Sequence, residues 1–505
     1  MKKYLLITLS IFSFGIAQSQ EVRDGVRYAQ GQLSGTSRFR SMSGAFGALG
    51  GDFSAINVNP AGSGVFASSQ VGITLANYNV KNKSSYYGSK SDESDNTFDL
   101  LNQAGAAFVF HPDNDKTNWK KFVLSVNYEN TNNFDNSKFS FGTNPTNSVG
   151  AYFTNRANNI GVPVGDLDNY YYDQFTLREQ TAYLGYHAYV INPTNPANPD
   201  NTTYTSNVAP GGNYYQQNTF NSTGYNGKLA FNASTEYRDK FYFGINLNTH
   251  FVDYRQSTSF SENNNNTTTN GLTSLRFDQD LQTYGNGFSF QLGAIAKVTT
   301  ALRLGLAYES PTWYEFTDEM RQVVRSSGYN FGNAGFGTAA TDSDVFITYD
   351  PYRLHTPGKW TASGAYVFGK SALISVDYSV KDYGNTKFRP NSDYFDPVNA
   401  EFKDQLDIAS EIRVGGEYRI KQFSLRGGYR FEGSPYKDGT TIGDLNSFSA
   451  GFGYNFGFTK LDFSYAYTQR KSDEGFFSYG FTGGANGAEI KSVYNTVSAS
   501  LVFEL

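Results

Sequence analysis

Leu461-Asp462-Phe463-Ser464-Tyr465-Ala466-Tyr467-Thr468 decides the fold. Its large apolar residues fall at every second position, and smaller or polar residues lie between them. Successive side chains of a β-strand point to opposite faces, so this stretch has a greasy and a polar face only as a strand. The same pattern occurs upstream. Phe423, Leu425, Gly427, Tyr429 and Phe431 alternate with Ser424, Arg426, Gly428 and Arg430, and Phe448 to Gly457 repeats the scheme. Val493 to Leu505 places Val497, Ala499, Leu501, Phe503 and Leu505 on one face, as expected of a barrel-closing strand.

Alternation alone also suits a soluble sandwich, and the spacing of the connections separates the two. Strands read this way number about fourteen from Gln70 to Leu505, inside the even-numbered range of bacterial barrels. Tight turns are expected at Arg238-Asp239-Lys240, Thr299-Thr300, Gly369-Lys370, Ile420-Lys421 and Gly457-Phe458-Thr459. Between them lie long polar connections over 81–102, 142–223, 262–285, 321–342, 390–404, 432–445 and 471–489. All long connections then fall at one end and all tight turns at the other. Outer-membrane barrels show that asymmetry, with short periplasmic turns and longer extracellular loops, whereas Greek-key sandwiches do not. The fold class expected is all-β, a transmembrane antiparallel β-barrel over 70–505, in the bacterial outer membrane. Its largest extracellular loop, 142–223, carries a helical pattern over 173–190, which fits either an ordered cap or a solvated segment. The run Asn263 to Thr269 is low in complexity and reads as mobile.

The chain start agrees with that compartment. Lys2 and Lys3 precede an apolar stretch from Tyr4 to Ile16, and Ala17 and Ser19 stand before Gln20. This reads as a signal peptide over 1–19. Without a single Cys, the chain holds no lipoprotein anchor, disulfide or thiolate metal site. A formal charge of -5 over 505 residues gives no indication of a nucleic-acid partner. No apolar run after the signal is long enough to cross a bilayer as a helix, so entry into a membrane requires a closed barrel. With 43 Phe and 38 Tyr against 3 Trp, and 51 Gly, the composition suits aromatic girdles and close strand approach.

Residues 20–69 alternate poorly. They hold a small-residue run from Arg40 to Asp52, then Phe53-Ser54-Ala55-Ile56 and Asn59-Pro60-Ala61-Gly62. Such a segment suits a plug packed inside the lumen, a periplasmic tail being the alternative. Here the sequence resembles the outer-membrane family of long-chain fatty-acid and aromatic-hydrocarbon transporters (FadL/TodX-like, OmpP1-like). Further matching pieces are Leu302 to Pro311, Thr356-Pro357 with Gly364-Ala365-Tyr366, Asp377-Tyr378, Asp382-Tyr383, Ile412 to Tyr418, Gly427-Gly428-Tyr429 and Ser434-Pro435.

The resemblance implies fourteen strands around an N-terminal hatch, and passive uptake of hydrophobic small molecules. It also implies sideways exit into the bilayer at a kink in the third strand. Asn130, Asn132 and Asn133 interrupt the alternation there, and a plain strand end at Asn130 remains the other reading. An apolar ligand gains nothing from a water-filled lumen, which makes a sideways exit physically sensible. Relatives serving as subunits of secretion or assembly complexes are implied too, among Bacteroidetes-type bacteria, the source type expected for this chain. The partners expected are therefore a hydrophobic ligand, outer-membrane lipids and lipopolysaccharide, or a protein complex.

His111, His187, His250 and His355 are scattered, and no HExxH, GxxxxGK[ST] or GxSxG motif occurs. No catalytic residue, metal or cofactor is expected. Candidate ligand-binding residues in the hatch are Phe46 and Phe53, as one wall of a pocket, and Asn59, Pro60, Ala61 and Gly62. In the lumen they are Arg303, Arg413 and Arg426. These arginines and Arg430 lie on polar strand faces and should point inward, either to pair with acids such as Glu309 and Glu417 or to meet a ligand carboxylate. Asp52, Asp377 and Asp382 read as lumen or turn residues.

Overall fold

The computed structural model describes residues 21–112, 117–266, 271–329, 336–341, 345–391, 395–477 and 487–505. The expected signal peptide lies outside the described residues. Fourteen strands cross the barrel wall. The first six are β1 (Gln70–Tyr86), β2 (Ser89–Phe110), β3 (Trp119–Asn133 and Asn136–Asn144), β4 (Tyr214–Tyr237), β5 (Phe241–Asn263) and β6 (Gly271–Lys297). Three further strands are each in two pieces: β7 (Leu302–Glu309 and Trp313–Tyr329), β8 (Tyr352–His355 and Lys359–Phe368) and β9 (Ala372–Asp382 and Lys387–Arg389). The last five are β10 (Ile408–Ile420), β11 (Phe423–Glu432), β12 (Leu445–Asn455), β13 (Thr459–Glu474) and β14 (Ala488–Glu504). Each pairs antiparallel with its sequence neighbours, and β1 pairs with β14 from Gln70↔Glu504 to Ser85↔Glu489, so the sheet closes.

Burial runs opposite to that of a soluble protein. In β5, Ile245 and Leu247 are 42% and 49% exposed, while Asn246 and Asn248 between and beyond them are 0% and 1% exposed. Only a wall with lipid outside and a polar interior favours that inversion. Among the described residues no helix is long and apolar enough to cross a membrane.

Several strands far exceed the 9–11 residues that a bilayer needs: β2, β4, β5 and β6 have 22, 24, 23 and 27. The barrel therefore stands well above the membrane at its long-loop end, and this corrects several expected loops. Residues 81–102 form a hairpin instead, joined by Tyr87-Gly88, both with positive φ as a tight two-residue turn requires. Residues 262–285 and 321–329 are likewise mostly strand. Beyond the bilayer the outer face needs no apolar residues, so these strands carry a polar pattern that reads as loop. Pro311 and Pro357 interrupt the neighbouring strands β7 and β8 side by side, since proline cannot donate to the ladder. Thr356 N donates to Thr312 O across the gap at 3.0 Å.

The connection between β3 and β4 is ordered. It holds α3 (Gly150–Ile160), α4 (Val164–Asn169), α5 (Leu177–His187) and a small hairpin pairing Ile191–Pro193 with Tyr204–Ser206. Helix α5 starts at Thr176, whose side chain and that of Glu179 cap each other's backbone. Phe153, Leu167, Leu184 and Ile191 share an apolar core with Phe260, Phe277 and Val324 from the raised ends of β5, β6 and β7.

Candidate functional site

Residues 21–69 fill the lumen as a hatch built from short elements. An N-terminal helix, α1 (Val22–Ala29), and a five-residue helix, α2 (Ser37–Ser41), precede 3-10 turns at Ser54–Asn57 and Pro60–Val65. The wall receives the hatch through glycines. A Cβ on Gly293 would stand 2.0 Å from Asn59 Oδ1, one on Gly244 2.4 Å from Pro60 C, and one on Gly305 2.4 Å from Gly47 O. Contacts that close exclude any side chain, so hatch backbone lies directly on wall backbone.

Polar pins then fix the register. Ser37 N donates to Ser500 Oγ at 2.7 Å, Gly47 N to Asp377 Oδ2 at 3.0 Å, and Ser63 Oγ to Ser234 Oγ at 2.6 Å. Asn246 and Gln291 donate to the carbonyls of Ile56 and Asn57 at 2.8 and 2.9 Å. Within the hatch, burial pushes the Asp52 carboxyl above its ordinary pKa, while Arg38 and hydrogen bonds from Thr36 and Ser54 oppose the shift.

The residues singled out from sequence are spread around this plug. Asn59 Nδ2 donates to Gly47 O (2.7 Å) and Ala294 O (3.1 Å), and its Oδ1 accepts from Ala61 N (3.1 Å). Pro60 opens the second 3-10 turn, Ala61 packs on Tyr242 and Ile295, and Gly62 O accepts from Gly51 N. These four form a joint between hatch and wall. Phe46 is fully buried against Phe39 and under the Arg38 guanidinium. Phe53 packs on Phe66, Ala107 and Val123.

Phe53, Arg303 and Arg426 line a cavity of ≈ 570 Å³ at the short-turn end. Arg413 lines another of ≈ 180 Å³ on the far side of the hatch, and Phe46 and Asn59 to Gly62 line neither. The arginines are largely paired. Arg426 binds Glu417 (2.7 Å) and Asp462 (2.5 Å), Arg413 binds Glu411 (2.7 Å), and Arg430 binds Glu411 and Glu432. Arg303 Nη1 donates to Leu49 O at 3.0 Å. Among the described residues no group of His, Asp or Glu could hold a metal ion.

Two features go beyond the sequence reading, one with no signal in the sequence and one marked there only by the broken alternation at Asn130, Asn132 and Asn133. The first is an aromatic chamber towards the long-loop end, into which the N-terminal helix inserts. Tyr28 lies 4.5 Å from Phe316, centroid to centroid, with Phe134, Tyr254 and Tyr314 around it, and Gly25 abuts Phe402 of α6 (Phe395–Gln405). These aromatics come from five separate segments, so no local motif announces them.

The second is a seam in the wall. The β2–β3 ladder runs from Phe110↔Phe122 only to Gln103↔Glu129, leaving Ser89 to Asn102 without backbone partners in β3. At its lower end Leu100, Leu101 and Asn102 bulge out of the β1–β2 ladder, and β3 shifts register at Thr131. Leu100 and Leu101 are 68% and 49% exposed. Side chains bridge the gap above: Thr97 Oγ1 donates to Asp135 Oδ2 (2.6 Å), and Asn130 donates to Asp99 Oδ2 (3.0 Å), which also accepts from Asn102 of its own strand (3.0 Å). The hatch reaches the seam as well. Gln32 N donates to Asn132 Oδ1 (3.0 Å), Gln32 Nε2 to Asn133 O (2.9 Å), and Asn132 Nδ2 to Gln30 O (2.8 Å). Asn130, Asn132 and Asn133 therefore sit where the third strand leaves its neighbour.

Fold and site together define a plugged β-barrel of the outer membrane with an interrupted wall. A family model described as outer membrane protein transport protein (OMPP1/FadL/TodX) matches residues 194–476, more than half of the chain, and the chain belongs to that family. This is a family of transport proteins rather than enzymes. The barrel is similar to the Pseudomonas putida toluene transporter TodX, at 11% identity over 94% of this chain and 99% of that one, TM-score 0.52. A Pseudomonas aeruginosa FadL homologue (12%, 94% and 99%, TM-score 0.49) and the Ralstonia pickettii toluene transporter TbuX (14%, 94% and 100%, 0.48) are further similar structures. No curated protein sequence matches the chain.

Proposed function

We propose that the protein is a passive channel for hydrophobic small molecules, which enter at the long-loop end and leave sideways through the β2–β3 seam. One observation carries this reading: the wall lacks backbone pairing above Gln103↔Glu129, beside the exposed Leu100 and Leu101. A lumen blocked by a pinned hatch favours a route through the wall over one down the axis. Family membership and the fold shared with a toluene transporter support the ligand class.

The aromatic chamber is where the ligand rests, in the place that Val22, Val26 and Tyr28 hold in this structure. Half burial of a C16 chain there contributes about 6 kcal/mol gross, at about 0.8 kcal/mol per methylene, enough for micromolar-range retention after binding costs. Protein extracted in a detergent unlike lipid should carry a long apolar molecule by native mass spectrometry, and Phe316→Asp should strip it while the barrel persists in unheated SDS. Absence of any ligand, with constant copurification of one large assembly, would replace the channel by a structural subunit.

A further inference from the structure

We propose that the vestibule beneath the hatch binds a small multivalent anion bearing phosphate or carboxylate groups. The site is the ≈ 570 Å³ cavity roofed by the hatch loop Leu49–Phe53 and open among the turns at Gly369-Lys370, Lys421-Gln422 and Asn455. It faces away from the long loops and lies below the seam, so it serves a separate purpose from the hydrophobic route and does not depend on it.

Charge is the first observation. Seven basic side chains line the vestibule against three acidic ones, Asp52, Glu417 and Asp462. Those acids are already engaged. Glu417 takes Arg38 (3.0 Å), Arg426 (2.7 Å) and Arg419 (2.5 Å), Asp462 takes Arg426, and Asp52 accepts from Thr36 Oγ1 (2.8 Å). Lys460 is paired with Glu504. Among the described residues no acid lies within ion-pair distance of Arg303, Lys370 or Lys421. Low-dielectric walls focus such an unbalanced field and raise the local concentration of anions.

The second observation is Arg303. Its Nη1 is spent on Leu49 O, but its Nε is buried with no hydrogen-bond partner. A buried guanidinium N–H left unmade is costly, and a small shift of the Arg303 head towards the vestibule would let an anion oxygen satisfy it. Arg38 comes from the hatch while Arg303 and Arg426 come from the wall, so one occupant would bridge both. An anion that binds only the plugged state stabilises that state by mass action.

The test is calorimetric titration of the full chain in neutral detergent with pyrophosphate and, separately, citrate, at matched ionic strength against sodium chloride. Saturable binding of either anion is expected, weakening with salt because the mouth is open to screening. Arg303→Gln should weaken it by about tenfold. Lys421→Gln, in an exposed turn where folding is not at risk, should weaken it by about threefold. Lys240→Gln, in a turn at the same end outside the vestibule, should leave it unchanged. No saturable binding of either anion, or binding unaltered in both Arg303→Gln and Lys421→Gln, overturns the proposal.

Discussion

The hairpin β1–β2 has two edges, and they meet their neighbours in opposite ways. On one side β1 pairs with β14 without a break from Gln70 to Ser85, although these two strands come from opposite ends of the sequence. On the other, β2 and β3 follow one another in sequence, yet pair only over Gln103 to Phe110. Closeness in sequence favours β2–β3, so the missing ladder is not a failure of chain connectivity. It is built in by the Leu100-Leu101-Asn102 bulge and the register shift at Thr131, which steer the strands apart. Asp99, Thr97 and Asn130 then seal the gap with side chains that can exchange partners, where a backbone ladder cannot. One edge closes the barrel, and the other is where the proposed sideways exit would open.

The largest effect should come from abolishing that difference. The chain has no cysteine, so Thr97→Cys with Asp135→Cys places a single disulfide across the open seam, where the native side chains already meet at 2.6 Å. Uptake of a hydrophobic probe into lipid by the reconstituted protein should fall by at least about tenfold on oxidation, a 1.4 kcal/mol barrier or more, and return on reduction. Lys83→Cys with Lys491→Cys locks the paired β1–β14 edge instead, at exposed positions, and should leave uptake as it is. Equal loss from both locks would mean that the seam is not the route.

A smaller but still large effect tests whether the hatch closes the lumen behind both edges. Gly293→Val forces side-chain atoms into the space of Asn59 Oδ1, and the joint at Asn59 to Gly62 should give way while strand pairing survives. Single-channel conductance in planar bilayers should rise from near zero to porin-like values. Gly364→Ala, whose Cβ would meet nothing closer than 3.9 Å, should conduct as the parent does. Unchanged conductance in Gly293→Val would show that the hatch does not depend on that joint.

Much of this arrangement was legible before any coordinates. Alternation at Leu461 to Thr468 and its repeats marks wall strands because lipid outside and polar lumen inside impose opposite demands at successive residues. The small-residue run at Arg40 to Asp52 marks the hatch because close packing against wall glycines admits little else. The raised strand ends at Lys81 to Asn102 carry a loop-like sequence, since above the bilayer neither face must be greasy. Arg40 offers another limit: its guanidinium bonds Tyr78 and Asn102 of the β1–β2 hairpin, a meeting fixed only when the hatch is seated in the assembled wall. The aromatic chamber was hidden for the same reason. The broken alternation at Asn130 to Asn133 was visible, but its tie to Gln30 and Gln32 was not, because the partners lie about a hundred residues apart.

The smallest expected effect sharpens the comparison most finely, because the hatch touches both edges through neutral hydrogen bonds. At the closed edge Ser37 N and Oγ bond Ser500 and Ser498 of β14, and all three residues are buried. At the open edge Gln32 Nε2 bonds Asn133 O, and Asn133 N in turn donates to Gln32 Oε1 at 3.2 Å, both near lumen water. Ser37→Ala should cost about 1 kcal/mol of stability, since it leaves buried serine hydroxyls short of a partner. Gln32→Ala should cost less, roughly 0.5 kcal/mol, because water replaces what is lost. Uptake should rank the two the other way. Only Gln32→Ala removes side-chain ties between the hatch and the β3 bend, leaving the backbone ties of Gln30 and Gln32 to Asn132 in place, so probe uptake should rise by about twofold, an effect of roughly 0.4 kcal/mol on the barrier, while Ser37→Ala leaves it flat. Thermal unfolding and uptake measured on the same two preparations decide the matter. If the variant that loses more stability also transports faster, general loosening explains uptake and Gln32 holds no special place; if the ranks cross, the hatch acts on the seam through Gln32.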